Sequence, residues 1–108
     1  MDIRQIQSFL IQNDYSPTTK GFYALADALK IALDTPEDIV STTWLYREVA
    51  QLHHTSWQSV EHNIRLTVQN QQLDTGTVGR PLPNKDVIAQ ILARLRRMEA
   101  EHSGSSRN

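Results

Sequence analysis

Apolar residues recur at intervals of three and four along nearly the whole chain, which is the pattern of amphipathic helices. Ile3, Ile6, Phe9 and Leu10 predict a short helix over residues 2–12. Ser16 followed by Pro17 reads as an N-cap with proline at the first helical position. The helix so opened is expected to run to about residue 34, with Phe22, Leu25, Leu29 and Leu33 along one face. Gly21 falls early in it, where poor helix propensity costs least. Thr35-Pro36 repeats the start signal and predicts a short helical segment through Ile39 and Val40. Leu45, Val49 and Leu52 then form the apolar stripe of a helix over about 43–53.

Thr55-Ser56-Trp57-Gln58 has the form of a capping box, with Thr55 as cap and a helix expected to about residue 71. Gly76, Gly79, Pro81 and Pro83 make 73–83 a loop or a small wing. Asn84 is placed to cap a last helix whose buried side is Val87, Ile88, Ile91, Leu92 and Leu95. The serine-rich residues 103–108 are expected to be disordered. With no internal repeat and no long strand, the expectation is a single all-α domain over 1–102, compact, with about five to six helices.

Composition narrows the function. The chain has 108 residues, 39% hydrophobic and 21% charged, enough for one core. Eleven Lys and Arg face twelve Asp and Glu, so a globally basic nucleic-acid coat is excluded and any electrostatic binding depends on local placement. The halves differ: residues 1–53 carry four bases against seven acids, and residues 54–108 seven against five. The absence of cysteine removes disulfides, thiolate metal sites and cysteine nucleophiles, and fits a cytoplasmic protein. No stretch is apolar enough for a membrane span, and the N-terminus lacks a signal-peptide cleavage pattern.

Catalytic chemistry finds no foothold. There is no glycine-rich phosphate loop, and no nucleophile, base and orienting acid form a recognisable set. His53, His54 and His62 invite a metal reading, but they lack the i, i+4 pair with intervening Glu used by helical zinc sites. The expectation is no catalytic residue, no metal and no cofactor, with His53 in helix packing.

The informative feature is the pair of helices over about 43–71, separated by two or three residues. A tight turn between two short amphipathic helices is either a helix-turn-helix, whose second helix enters the major groove, or a plain helical hairpin. Ala50 is small enough to let the helices approach, and His54 occupies the turn where such motifs often carry glycine. At 100° per residue, Trp57, Val60, Ile64 and Val68 fall on one face of the second helix, which is expected to be the core side. Gln58, His62, Arg65 and Gln69 fall opposite, with Ser59 to one side. Their side chains are donors and acceptors long enough to meet base edges and phosphates. This face has no lysine and places its sole acid, Glu61, on the flank, unlike an ordinary solvated face. Leu66 also turns towards the polar side.

At this point the chain resembles a known family: the C-terminal DNA-binding effector domain of the sporulation initiation response regulator, stage 0 sporulation protein A. The residues that carry the likeness are Lys20-Gly21-Phe22 and Ala28, then Leu45-Tyr46 and Val49-Ala50. Val60-Glu61 and Ile64-Arg65 match the recognition helix, and Asn84, Asp86, Ile88-Ala89 and Leu95 match the last helix. The register is unbroken from Lys20 to Arg65, and the likeness extends from the first helix to about residue 102. It implies a bacterial transcription regulator of that fold. The family carries recognition-helix arginines at the positions of Ser59, His62 and Arg65, of which this chain keeps only Arg65. The connection over 73–83 is shorter than the family's, and the chain reads as an effector domain without a receiver, so phosphorylation control is not implied.

The expected function is recognition of double-stranded DNA, with Gln58, Ser59, His62, Arg65 and Gln69 on the DNA and Arg80 and Lys85 on flanking phosphates. RNA polymerase is a partner that the resemblance implies. The protein is expected to be a monomer or weak dimer, with dimerisation on DNA left open. The alternative is a degenerate effector fold that binds a regulator or a polymerase subunit. Arg94, Arg96 and Arg97 read as charges complementing a helix C-terminus rather than as a second DNA site.

Overall fold

Four of the helices begin where a side-chain oxygen accepts an otherwise orphaned backbone N–H. Residues 1–76 and 82–105 are described by a computed structural model. In chain order the elements are α1 (Ile3–Gln12), α2 (Lys20–Leu33), α3 (Thr42–His53), α4 (Trp57–Asp74) and α5 (Asn84–Ser105). The fold is all-α, with no strand among the described residues. Asp2 caps α1 in a reciprocal box with Gln5, Thr19 caps α2, Ser41 caps α3 and Ser56 caps α4.

Both serine- or threonine-proline signals mark turns, not helix starts. After Ser16-Pro17 the chain makes a turn in which the Thr19 hydroxyl donates to the Ser16 carbonyl at 3.1 Å, and α2 opens three residues later than expected. After Thr35-Pro36 the Ile39 N–H donates to the Pro36 carbonyl at 3.0 Å, and no helix follows before α3. Nucleating a helix fixes several dihedrals for one hydrogen bond, and exposed Ile39 supplies no packing to offset that. Asn84 also departs from expectation: it is the first residue of α5, and its side chain turns into the core instead of capping.

The middle of the domain is α2, which packs against each of the other four helices. Gly21, Ala24, Ala26, Ala28 and Ala32 are buried on it, so neighbours approach closely on several sides while Phe22, Leu25 and Leu29 fill the core. The tightest approach is at Gly21. A Cβ there would lie 2.7 Å from the Asn63 carbonyl carbon and closer still to its oxygen and to Thr67 Oγ1. Glycine is therefore required by the crossing of α2 and α4, a stronger reason than its tolerable place in the helix.

α5 closes the core with Val87, Ile88, Ile91, Leu92 and Leu95, the five residues expected on its buried side. It continues to Ser105, into the stretch expected to be a tail, while 106–108 lie outside the described residues. Arg94 and Arg96 thus sit well before the last turn, and their expected dipole role gives way to packing. The Arg94 guanidinium lies 4.9 Å over the Phe9 ring and donates to Asn13 Oδ1 at 3.1 Å. Arg96 donates to the Ala32 carbonyl and pairs with Glu37, each at 3.3 Å. Among the described residues, no helix is long and apolar enough to cross a membrane.

Candidate nucleic-acid interface

The connection between α3 and α4 is built by hydrogen bonds that leave no slack. His54 takes the left-handed conformation, φ 53° and ψ 49°, at the end of α3. Its N–H donates to the Gln51 carbonyl at 3.4 Å, and the Thr55 N–H reaches back to the Ala50 carbonyl at 3.0 Å. These two bonds are the Schellman pattern that usually recruits glycine at this position. Thr55 is thereby committed to the end of α3, and capping of α4 passes to Ser56, which accepts the Ser59 N–H at 3.2 Å. The expected box at 55–58 is shifted by one residue for this reason, and only three residues separate the helices.

α4 is 18 residues long and buries Val60, Ile64, Thr67, Val68 and Gln72. Trp57, expected in the core, is 38% exposed because the whole first turn projects beyond the packed part of the helix. Leu52, expected in the stripe of α3, is likewise exposed, and Tyr46 and Ala50 are buried with Leu45 and Val49 in its place. Gln58, Ser59, His62, Arg65 and Gln69 are all exposed, as the helical period predicts. Leu66 and Leu73 share that outer surface at 44% and 73% exposure.

The outer face has internal chemistry. Arg65 donates to Glu61 Oε1 at 2.9 Å and to His62 Nδ1 at 2.9 Å. A guanidinium only donates, so His62 Nδ1 is the acceptor in this bond. Arg65 is held by two neighbours on its own helix, and a ligand must compete with an exposed i, i+4 ion pair worth only a few tenths of a kcal/mol.

Two grooves flank this face, and the expected site residues divide between them. Gln58, Ser59 and His62 line a recess whose far wall is Lys20 and Tyr23 of α2, with His54 at its end. Arg65 and Gln69 line a second groove with Lys85, Thr42 and Tyr46. Arg80 lies outside the described residues. Beneath the second groove, Asn84 Nδ2 donates to the Tyr46 hydroxyl at 3.1 Å and to the Glu61 carbonyl at 3.3 Å, joining α3, α4 and α5 at one point. Burial pushes the Tyr46 phenol above its ordinary range, against the opposing effect of the Asn84 bond. Gln72 clamps the approach to α5, accepting the Leu82 N–H at 2.9 Å and donating to the Leu82 carbonyl at 3.4 Å.

Sequence reasoning quoted Lys20 for the family likeness but gave it no role at the site, because its place beside α4 depends on the crossing at Gly21. It also missed the inward role of Asn84, for which no local pattern exists. His53 bridges helices as expected, but from a half-exposed position: its Nε2 lies 2.6 Å from Asp27 Oδ2 on α2. Among the described residues, no three His, Asp or Glu side chains are grouped to hold a metal. The chain matches no protein-family model and no curated protein.

Proposed function

We propose that the chain is a DNA-binding transcription regulator in which α3 and α4 act as a helix-turn-helix and α4 enters the major groove. The observation that carries this reading is the outer face of α4. Gln58, His62, Arg65 and Gln69 are exposed together on one 18-residue helix, and its nearest acid, Glu61, is already paired with Arg65. Amides and a guanidinium are the side chains that pair bidentately with adenine and guanine edges. The three-residue turn and the Schellman lock set the angle between the helices, so the reading face is rigidly presented. The likeness to sporulation effector domains supports the same reading and adds bacterial transcription and contact with RNA polymerase to it.

Beside the family it resembles, two of three recognition-helix arginines are replaced, which implies a changed operator or weaker binding, with reading carried more by amides and His62 than by guanidinium. Near-neutral overall charge implies weak non-specific binding, since that component comes from neutralised phosphates. The test is selection of duplex fragments from genomic or random pools with purified protein. Enrichment of a common sequence is expected, and Arg65→Ala should weaken binding to it by roughly 1–3 kcal/mol, about 5- to 150-fold. Failure to enrich any duplex at low salt would overturn the reading.

A second reading, an interaction module for a regulator or a polymerase subunit, draws on Trp57, Leu66 and Leu73, which expose apolar surface on the same helix. Retention of a protein partner by Arg65→Ala and its loss in Leu66→Glu, with no duplex bound by either, would favour it.

A further inference from the structure

Among the described residues, the cations differ in what they already hold. Lys30, Arg65, Arg94 and Arg96 are committed to carboxylates, carbonyls or an aromatic ring. Lys20, Lys85, Arg4, Arg47 and Arg97 are exposed with no such partner among the described residues, and of these only Lys20 and Lys85 lie in the two grooves on either side of α4. Lys85 was expected to touch phosphate from its place beside the loop. Lys20 is 38 residues before Gln58 in sequence and reaches the same recess only because α2 crosses α4 at Gly21.

The recess at Lys20 is suited to an anion. Its lining contains no carboxylate: Glu61 lines the opposite groove, and Asp27, 2.6 Å from the lining residue His53, is not itself part of it. Lys20 shares the recess with residues that can donate without charge, Tyr23, Gln58 and Ser59, whose hydroxyl also accepts from Ser56 at 3.0 Å, and with His53 and His54. The recess also runs directly into the outer face of α4, because Gln58, Ser59 and His62 belong to both. A helix lying in a major groove has a phosphate strand along each flank, and contacts to those strands fix its register.

We propose that the recess between α2 and the α3–α4 turn seats a backbone phosphate of duplex DNA, with Lys20 as its cation, so that Lys20 and Lys85 grip the two strands flanking α4. The proposal rests on the DNA-binding reading above and adds a contact from outside the helix pair. Lys20 then contributes affinity without sequence preference, since a phosphate is the same at every step of the duplex.

The test is the salt dependence of duplex binding, measured by fluorescence anisotropy for wild type, Lys20→Ala, Lys20→Arg and Arg4→Ala. Arg4 is an exposed, unpaired cation on α1 that lines neither groove, and its substitution controls for loss of one charge. Each neutralised phosphate contributes about −0.9 to the slope of log K against log salt. Lys20→Ala should therefore make the slope shallower by about 0.9, weakening the selected duplex and a scrambled one by the same factor. Lys20→Arg should retain the wild-type slope, and Arg4→Ala should leave it unchanged. Unchanged thermal unfolding of Lys20→Ala will establish that the fold is intact. A wild-type slope in Lys20→Ala, or an equal change in Arg4→Ala, would overturn this proposal while leaving DNA binding standing. Absence of duplex binding by wild type would overturn both.

Discussion

Gly21→Ala adds one methyl group at the crossing of α2 and α4, and two effects of opposite sign decide the outcome. Alanine is a better helix former than glycine by about 1 kcal/mol, so an exposed Gly21 would gain that much from the change. The site is buried, however, and the new Cβ would stand 2.7 Å from the Asn63 carbonyl carbon and nearer to the carbonyl oxygen. Carbon and oxygen normally meet at about 3.3 Å or more, so the helices must separate. Neither obstacle is a free side-chain end. Asn63 presents backbone inside α4, and Thr67 Oγ1 is held at 2.9 Å by the Thr19 hydroxyl. Overpacking of this kind costs about 1–3 kcal/mol and more when backbone is struck, which outweighs the propensity gain. Net destabilisation of about 2 kcal/mol is expected, lowering the melting temperature by roughly 10 °C for a domain of this size. Urea unfolding with an unchanged m-value will separate a stability loss from a change in compactness. Thr67→Ala in the same chain should restore only part of the loss, because the Asn63 carbonyl remains. A Gly21→Ala protein as stable as wild type would refute the close approach and, with it, the placement of Lys20 beside α4.

Three further outcomes follow from other contacts. His54→Gly should raise stability by about 0.5–1 kcal/mol by relieving left-handed strain in the turn, whereas His54→Val should lower it, and thermal melts of both check the sign. Asn84→Ala removes both bonds that its amide donates, to the Tyr46 hydroxyl of α3 and to the Glu61 carbonyl of α4, and should cost about 1–3 kcal/mol, against about 1 kcal/mol for Tyr46→Phe, which spares the second. The Tyr15 phenol is pushed up to about 12 by burial, from an ordinary value of 10.0. The native state therefore holds a proton that the unfolded state releases, and stability should be flat below about pH 10 and fall by about 2–3 kcal/mol as pH rises to 12. Burial of Tyr46 acts in the same direction, and urea titrations at stepped pH on wild type and Tyr15→Phe will show how much of the fall is Tyr15's.

What the sequence made legible is what repeats locally. The helical period identified the large buried residues Ile6, Phe9 and Leu10 of α1, Phe22, Leu25 and Leu29 of α2 and the five of α5. Ile3 and Leu33 on the same faces are only half-buried, and the buried alanines of α2 were not foreseen. The period also gave the exposure of Gln58, His62, Arg65 and Gln69, because a 100° step assigns faces without knowledge of partners. Start signals were less faithful. A serine or threonine before proline stabilises a turn as readily as a helix, and the true caps, Thr19 and Ser41, were chosen by where packing begins. Trp57 and Leu52 fit their stripes but lie at helix ends, where no neighbouring element covers them. The features that shape the candidate interface bring together residues distant in sequence: Gly21 against Asn63, Tyr46 bonded to Asn84, and Lys20 in one recess with Gln58. No local pattern encodes such pairs. The likeness to the effector domains did flag Lys20-Gly21, Tyr46 and Asn84, though not what each of them does.

The central claim, that duplex DNA lies on the outer face of α4, is tested most directly by titrating a selected duplex into isotopically labelled protein and following each backbone amide by nuclear magnetic resonance. The account predicts that the largest shifts fall on residues 54–69, with further changes at Lys20 and Lys85 and none along the outer surface of α1. Shifts confined to other surfaces, or no shift at duplex concentrations of about 0.1 mM where even non-specific binders respond, would contradict it.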